Sequence, residues 1–412
     1  DQEVASIAAV CRLVHGMPLG ILLAAAWTRV LSPAEIAAEI AKDQGFLQTD
    51  MPDVPARQRS LRAVFLHTWN RLSAEERGVF IHLSVFRGGA TLDAARHVAG
   101  ATIGVLAALI DHALLRRLPD SRYEIHELLR QFAQERLEQD QDAAFAARDA
   151  HSAYFSRFLA QRETAITYSG QRRAIQEVGA DLDNIRAAWI WAAERRLSTL
   201  LRDAASTLAQ YCDWQGRYHE GVQLCEQAID KLRPAESVPD NTTCEQCEQV
   251  SALAVLFSAA GWLYIRLGKY AQSRHALTRS FTLYAAPGVT RPPGHMGQPL
   301  LGLALLADVV GDYRDAVALA NQAQAAALAS GDRYNQQLAS YVLASTSYAQ
   351  GEYAAARLAA EEAYTIAAEI DARSMMAYIA IIQGNVARAC GDLRAAQQHY
   401  THSHALQSEL GN

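Results

Sequence analysis

The sequence predicts a mainly α protein: a small helical region, a compact helical region broken by one short β-hairpin, and an α-solenoid that closes the chain. Three observations carry this reading. A glycine followed two residues later by Tyr or Leu, and five residues later by a small residue, occurs at Gly216, Gly268, Gly311, Gly351 and Gly391. The separations are 52, 43, 40 and 40 residues, a period that belongs to stacked supersecondary units. Helix-start signals recur through the first 140 residues, where a single stretch reads as a pair of strands.

Taken in order, residues 1–50 hold two helical patterns. The first ends in His15-Gly16-Met17-Pro18-Leu19 and runs into an apolar, alanine-rich helix. The second opens Ser32-Pro33-Ala34-Glu35: an N-cap serine, a proline at the first helical position, and a glutamate that reaches back to the cap. A loop from Asp50 to Pro55 leads into residues 56–140. There Ser73-Ala74-Glu75-Glu76 is a second capping box, and Thr91 can cap a helix beginning near Leu92. His112 to Leu118 and Ser121 to Ile125 read as short strands around Pro119-Asp120, with a helix from about His126 to Leu137. Helices followed by a small hairpin predict a winged-helix arrangement. Residues 143–200, including Asp183-Asn184-Ile185-Arg186 and Trp189/Trp191, read as a degenerate helix pair capping the solenoid of residues 201–412.

Within the solenoid the spacing has a physical reading. Seven residues before each glycine lies Ala209, Gly261, Ala304, Ala344 or Gly384, and twelve after it Ala228, Ser280, Ala323, Ala363 or Ser403. Small residues there let two antiparallel helices approach closely. The Tyr or Leu between them (Tyr218, Tyr270, Tyr313, Tyr353, Leu393) is expected to fill the crossing. The glycine suits the left-handed backbone at a helix C-terminus, which a Cβ disfavours. Each unit therefore reads helix, tight turn, helix, and the pattern resembles the tetratricopeptide repeat in a version of about forty residues. Residues 232–249 and 286–299, rich in Pro, Gly and polar residues, read as connecting loops.

Composition narrows the function. No uninterrupted apolar run approaches the ~18 residues of a membrane span, and the opening Asp-Gln-Glu is not a basic secretory leader. Six cysteines in 412 residues are too few for a disulfide scaffold, so a cytoplasmic setting is expected. Cys244 and Cys247 have CxxC spacing, but no second pair or histidine stands at zinc-ligand spacing, so they read as an incidental loop pair and no metal is expected. The only lysines are Lys42, Lys231 and Lys269, and none ends a G-x-x-x-x-G-K-[ST] loop. No phosphate-cradling Walker A motif exists in this chain. No H-E-x-x-H, G-x-S-x-G or glycine-rich dinucleotide loop appears either, so the chain is not expected to be an enzyme.

The first 140 residues resemble a known family. The stretch GMPLGILLAAAW is similar to the G-x-P segment in the helical domain that follows the nucleotide-binding domain of NB-ARC/STAND signalling ATPases. Residues 60–100 are similar to the winged-helix domain that comes next there, and Ile125 to Ala133 (IHELLRQFA) to its M-H-D-type motif, with Ile for Met and Glu127 for Asp. A tetratricopeptide-like sensor closes the chain in the branch related to the bacterial maltose-regulon activator. The resemblance implies that Gly16 and Pro18 lie near the adenine and that His126 contacts the β-phosphate of ADP, both in the intact protein only. It also implies ADP or ATP with Mg as cofactors of the full-length protein. The Walker A lysine and Walker B aspartate are absent here, so this chain reads as a C-terminal fragment without its nucleotide-binding domain.

The expected function is therefore a regulatory and sensor module. Its repeats would bind an inducer protein, a peptide or a small molecule on their concave face, and the winged helix would relay this to a nucleotide-binding domain in cis. In tetratricopeptide folds the first helix of each pair lines that face. Counting back from each glycine places Gln210, Asp213, Trp214, Trp262, Arg266, Asp308, Tyr341, Tyr348, Asn385 and Arg388 there. Two alternatives stand beside this: a plain repeat scaffold for protein–protein interaction, and a winged-helix DNA-binding regulator. The second is disfavoured by charge. Residues 1–150 carry 16 Lys+Arg against 19 Asp+Glu, and Arg116, Arg117 and Arg122 are their only basic focus. Direct nucleic-acid binding and membrane association are not expected.

Overall fold

The computed structural model describes residues 2–14, 21, 24–25, 27–42, 61–168, 170–232, 244–289 and 295–410. The described residues form a mainly α fold with one small two-stranded sheet. The chain divides into two compact units, residues 1–154 and 155–412.

In the first unit α1 (Gln2–Leu13) packs on α2 (Pro33–Lys42), burying Val10, Val14, Ile36 and Ile40. The Ser32 box forms as its sequence requires: the Ser32 amide donates to Glu35 Oε2 at 2.8 Å and the Glu35 amide to Ser32 Oγ at 3.4 Å. Next come α3 (Leu61–Arg71), α4 (Ala74–Leu83), α5 (Leu92–Ala99) and α6 (Ile103–Asp111). Ser73, Thr91 and Thr102 cap the last three through their hydroxyls. Strands β1 (Arg116–Arg117) and β2 (Tyr123–Glu124) pair antiparallel, each shorter than the sequence predicts. The reason lies in the partners available. Leu114 and Leu115 turn into the core, while Ala90 exchanges two 2.8 Å amide bonds with Tyr123 and supplies the second edge of β2. Helix α7 (Glu127–Leu137) then brings Phe132 against Phe65 and Trp69, each ring pair 6.0 Å apart.

Helix α8 (Gln141–Ala160) leads into α9 (Glu163–Thr167), α10 (Gln171–Ala180) and α11 (Leu182–Glu194). α11 packs on the first repeat, where the Trp189 indole N–H donates to the Leu224 carbonyl at 3.0 Å. Five helix pairs follow: α12 (Ser198–Trp214) with α13 (Tyr218–Leu232), α14 (Cys244–Arg266) with α15 (Tyr270–Leu283), α16 (Pro299–Val310) with α17 (Tyr313–Ser330), α18 (Arg333–Ala349) with α19 (Tyr353–Glu369), and α20 (Arg373–Ala389) with α21 (Leu393–Leu410). All five turn glycines have positive φ, between 64° and 85°. The residue after each donates its amide back to the last turn of the first helix, as Asp312 does to the Ala307 carbonyl at 2.8 Å.

The small positions are where the helices touch. A Cβ on Gly261 would stand 2.5 Å from Leu277, and one on Gly384 2.5 Å from the Tyr400 ring. Where the small residue is serine, its hydroxyl bridges to the partner helix: Ser273 to the Gly261 carbonyl at 2.8 Å, Ser280 to Ala254 at 2.6 Å, and Ser403 to Ala377 at 2.9 Å. The Tyr/Leu position, by contrast, does not fill the crossing. Tyr270, Tyr353 and Leu393 are exposed, Leu393 to 70%. That residue opens the second helix at the rim of the turn, where Tyr218 and Tyr313 are only half-buried and Tyr353 meets the first helix through Tyr348 alone among the described ring contacts. The Cys pair also differs from its reading as a loop. Cys244 opens α14, whose first residues, CEQCEQ, continue directly into an apolar helix. Cys247 Sγ lies 3.9 Å from the Pro287 carbonyl. By length and composition the segment Gln246–Arg266 of α14 could cross a membrane, yet 89% of its most apolar window is buried inside the repeats. Ser251, Ser258 and Gly261 interrupt its apolar run, so the sequence shows no unbroken apolar stretch there.

Candidate ligand-binding site

Each turn glycine ends a first helix at the same place, so the residues two and three positions before it project at one level of the stack. From α12 these are Asp213 and Trp214, from α14 Arg266, and from α16 Asp308 and Val309. The N-terminal halves of α18 and α20 bring Tyr334, Leu338, Tyr341, Met375 and Tyr378 across from them. Together with Trp262, Ile265, Leu305 and Ser345 these residues enclose a cavity of about 200 Å³, lined by the first helices of all five repeats.

Two polar constructions are set in its wall. Asp213, with only 5% of its side chain exposed, accepts two bonds from Arg266, Nε to Oδ1 at 2.8 Å and Nη2 to Oδ2 at 3.2 Å. A planar guanidinium meeting a carboxylate in this forked geometry is both strong and directional. Asp308 accepts from Ser345 Oγ and Thr346 Oγ1, each at 2.8 Å. Burial raises the Asp308 carboxyl above its ordinary range, against the pull of those two hydroxyls, which favour the charged form. Burial also raises the phenols: Tyr341 is pushed up to about 12, and Tyr334 and Tyr378 move in the same direction.

Around these groups the wall is aromatic. Trp214 and Tyr378 stack with ring centroids 6.2 Å apart and planes 29° from parallel. The Arg266 guanidinium carbon lies 6.0 Å from the Tyr378 ring, and Tyr168 meets the Tyr334 ring edge-on at 5.6 Å. The indole N–H of Trp214 is buried with no acceptor among the described residues.

Of the ten residues the sequence places on the concave face, Asp213, Trp214, Trp262, Arg266, Asp308 and Tyr341 share this wall, and the other four stand outside it. Gln210 is buried and accepts from Thr167 Oγ1 at 3.1 Å. Tyr348 packs against Tyr353 at 6.0 Å with the Arg388 guanidinium nearby, while Asn385 accepts from the Tyr400 hydroxyl at 2.7 Å. Counting back from the glycine misses Tyr334 and Tyr378, which lie in the opposite halves of their helices. The available signal was the helical spacing of Tyr334, Leu338, Tyr341 and Ser345, one continuous face of α18.

Gly16 and Pro18 lie outside the described residues. His126 is the N-cap of α7, its Nδ1 accepting the Leu128 amide at 3.3 Å. That places the ring proton on Nε2, the donor form an anion requires. A nucleotide's phosphates need more than one imidazole, and the sequence supplies no Walker loop to accompany it. The basic residues of the hairpin are largely committed. Arg116 Nε donates to Glu124 Oε2 at 2.6 Å, and Arg122, 7% exposed, donates to the Gly89 carbonyl at 3.0 Å.

No protein-family profile matches the chain. Among curated proteins it is similar to one named "Putative HTH-type transcriptional regulator" in Mycobacterium tuberculosis, 30% identical over 247 residues, which is 57% of this chain and 27% of that protein. An uncharacterised Mycobacterium tuberculosis protein is 30% identical over 149 residues, 34% of this chain and 38% of its own length. The chain thus spans about a quarter of the length of the first of these relatives and little over a third of the second. Among solved structures it is similar to BtubC (BKLC) from P. vanneervenii, with a TM-score of 0.41, 14% identity, and 55% of this chain and 90% of that one covered. It is also similar to a signal transduction ATPase with numerous domains (STAND) that carries a tetratricopeptide repeat sensor, from Pyrococcus horikoshii. There the TM-score is 0.28 with 15% identity, and 94% of this chain and 68% of that one are covered. Scores this low carry no argument about fold or function, which rest on the chain's own residues.

Proposed function

We propose that this chain is the sensing and relaying part of a larger cytoplasmic signal-transduction ATPase of the STAND type. The repeats take up an inducer in the cavity walled by Asp213, Arg266 and Asp308. Residues 56–140, a winged-helix module, pass its occupancy to a nucleotide-binding domain in cis, whose Walker A motif does not occur within these 412 residues. That domain would hold ADP or ATP with Mg, with His126 donating to a phosphate. The cavity is the observation that carries the sensing role. Its ions and aromatic rings come from five separate helices, so a ligand filling it makes contacts in every repeat at once. The relay half of the reading rests on GMPL and IHELLR in their order along the chain. The name of the mycobacterial relative supports transcription as the regulated output.

Direct reading of DNA by this chain is the weaker alternative. Duplex affinity requires free cations facing phosphates, whereas Arg116 is engaged by Glu124 and Arg122 by the Gly89 carbonyl.

The test uses the full-length protein that includes the nucleotide-binding domain. Leu305→Trp would fill the cavity, and extract of the source cells should then no longer speed ADP release as it does in the wild type. Undiminished stimulation in a folded variant would remove the cavity from the sensing role.

A further inference from the structure

We infer that the cavity between the first helices is selective for a small organic cation, a primary or quaternary ammonium ion. This deepens, and rests on, the reading of that cavity as the sensing site.

Charge decides first. The Arg266 guanidinium is committed to Asp213 through two bonds, so that pair presents no net charge. Asp308 is the remaining ion of the wall, and its partners Ser345 and Thr346 donate hydroxyl protons without cancelling its charge. The wall therefore carries one uncompensated negative charge. An incoming carboxylate or phosphate would meet an Arg266 charge already matched by Asp213 and would lie close to Asp308. An ammonium ion meets neither obstacle.

The rings supply the second half. Trp214 and Tyr378 stack in one part of the wall, with Trp262 and Tyr341 in the rest. The face of an aromatic ring is negative and attracts a cation, more strongly once the cation is desolvated. Tyr378 already has the Arg266 cation beside it at 6.0 Å, so that environment accepts positive charge. The cavity, about 200 Å³, suits a small molecule rather than a folded partner. A ligand here would place its ammonium group near Asp308 and its carbon skeleton against Trp214 and Tyr378.

The whole chain would be titrated with tetramethylammonium, choline and phenethylamine chlorides. Two comparison probes would be 3,3-dimethylbutan-1-ol, choline's uncharged isostere, and sodium acetate. Tryptophan fluorescence and calorimetry report binding. At least one ammonium probe should bind with a Kd of about 1 mM or tighter, and the isostere about tenfold more weakly than choline. Asp308→Asn should weaken the ammonium probe about tenfold, the cost of losing the only uncompensated charge. That variant also disturbs Ser345 and Thr346, so the comparison of choline with its isostere on the unaltered chain decides the matter if it misfolds. Equal binding of choline and its isostere, or preference for acetate, would overturn the cation while leaving the cavity as the sensing site. Failure of every ammonium probe would also overturn the cation. The sensing role itself stands or falls with Leu305→Trp in the full-length protein.

Discussion

Glu163, at the start of α9, is held in a place that penalises its charge. Burial, with the Asp203 carboxylate adding to it, pushes its pKa up to about 7, and its Oε1 has no hydrogen-bond partner among the described residues. In the unfolded chain a glutamate titrates near 4.3. Below that pH both states keep the proton, and the group is neutral toward stability. As pH rises toward 7 the unfolded chain ionises while the folded chain still holds its proton, so stability drains away over that interval. Glu163→Gln should therefore leave the melting temperature unchanged at pH 4 and raise it by a few degrees at pH 8. Calorimetric melts of both proteins across that range check this, and superimposable curves at pH 8 would refute it. Individual residues were legible in the sequence only where a rule fixed their place. The turn glycines located Asp213, Arg266 and Asp308 because a helix end sets side-chain direction. Nothing comparable marks Glu163 or Tyr378, whose surroundings are made by helices distant in sequence.

Between the two helices of a repeat, glycine has two separate uses, and the same substitution distinguishes them. At Gly351 φ is +80° and nothing lies within 4 Å of an added Cβ. Gly351→Ala thus meets only the backbone penalty, about 1–2 kcal/mol. At Gly384 the backbone is helical, but the new methyl would meet the Tyr400 ring at 2.5 Å. Gly384→Ala gains helix propensity of about 1 kcal/mol and still must displace a ring that anchors Asn385, so it should destabilise by about 2 kcal/mol or more. Adding Tyr400→Leu should recover much of the second loss and none of the first. Chemical denaturation of the single and double variants measures both. The paired helices of the repeats were largely readable, because small-residue spacing is a local rule that tertiary contacts here reinforce; residues 143–200, which read as one pair, hold α8 to α11 instead. The short strands and the exposed Tyr/Leu position were not readable. Each depends on whether a neighbour arrives, and the local pattern is silent on that.

A solenoid is usually a one-dimensional object, in which each repeat touches only the next. Here the array bends back on itself. Trp214 of the first pair stacks on Tyr378 of the fifth, Ser374 of α20 bonds to Gln171 of α10, and Tyr168 meets Tyr334. The denaturation of residues 155–412 should consequently be steeper than that of independent repeats. Ser374→Ala with Tyr378→Ala should broaden the urea transition, lowering its slope and letting the fifth pair melt first. An unchanged slope, followed by tryptophan fluorescence and by circular dichroism, would mean that the closing contacts add nothing to cooperativity. Gln171 and Ser374 stand 203 residues apart along the chain, and that distance governs the time course of folding as well as its equilibrium. Helix pairs can form and stack locally within milliseconds, but the last contacts wait on a loop of that length to find its ends. Refolding of these repeats should then be biphasic, with a fast gain of helix ahead of a slower burial of Trp214. A nascent chain leaving the ribosome would hold Trp214 without its ring partner until the fifth pair emerged.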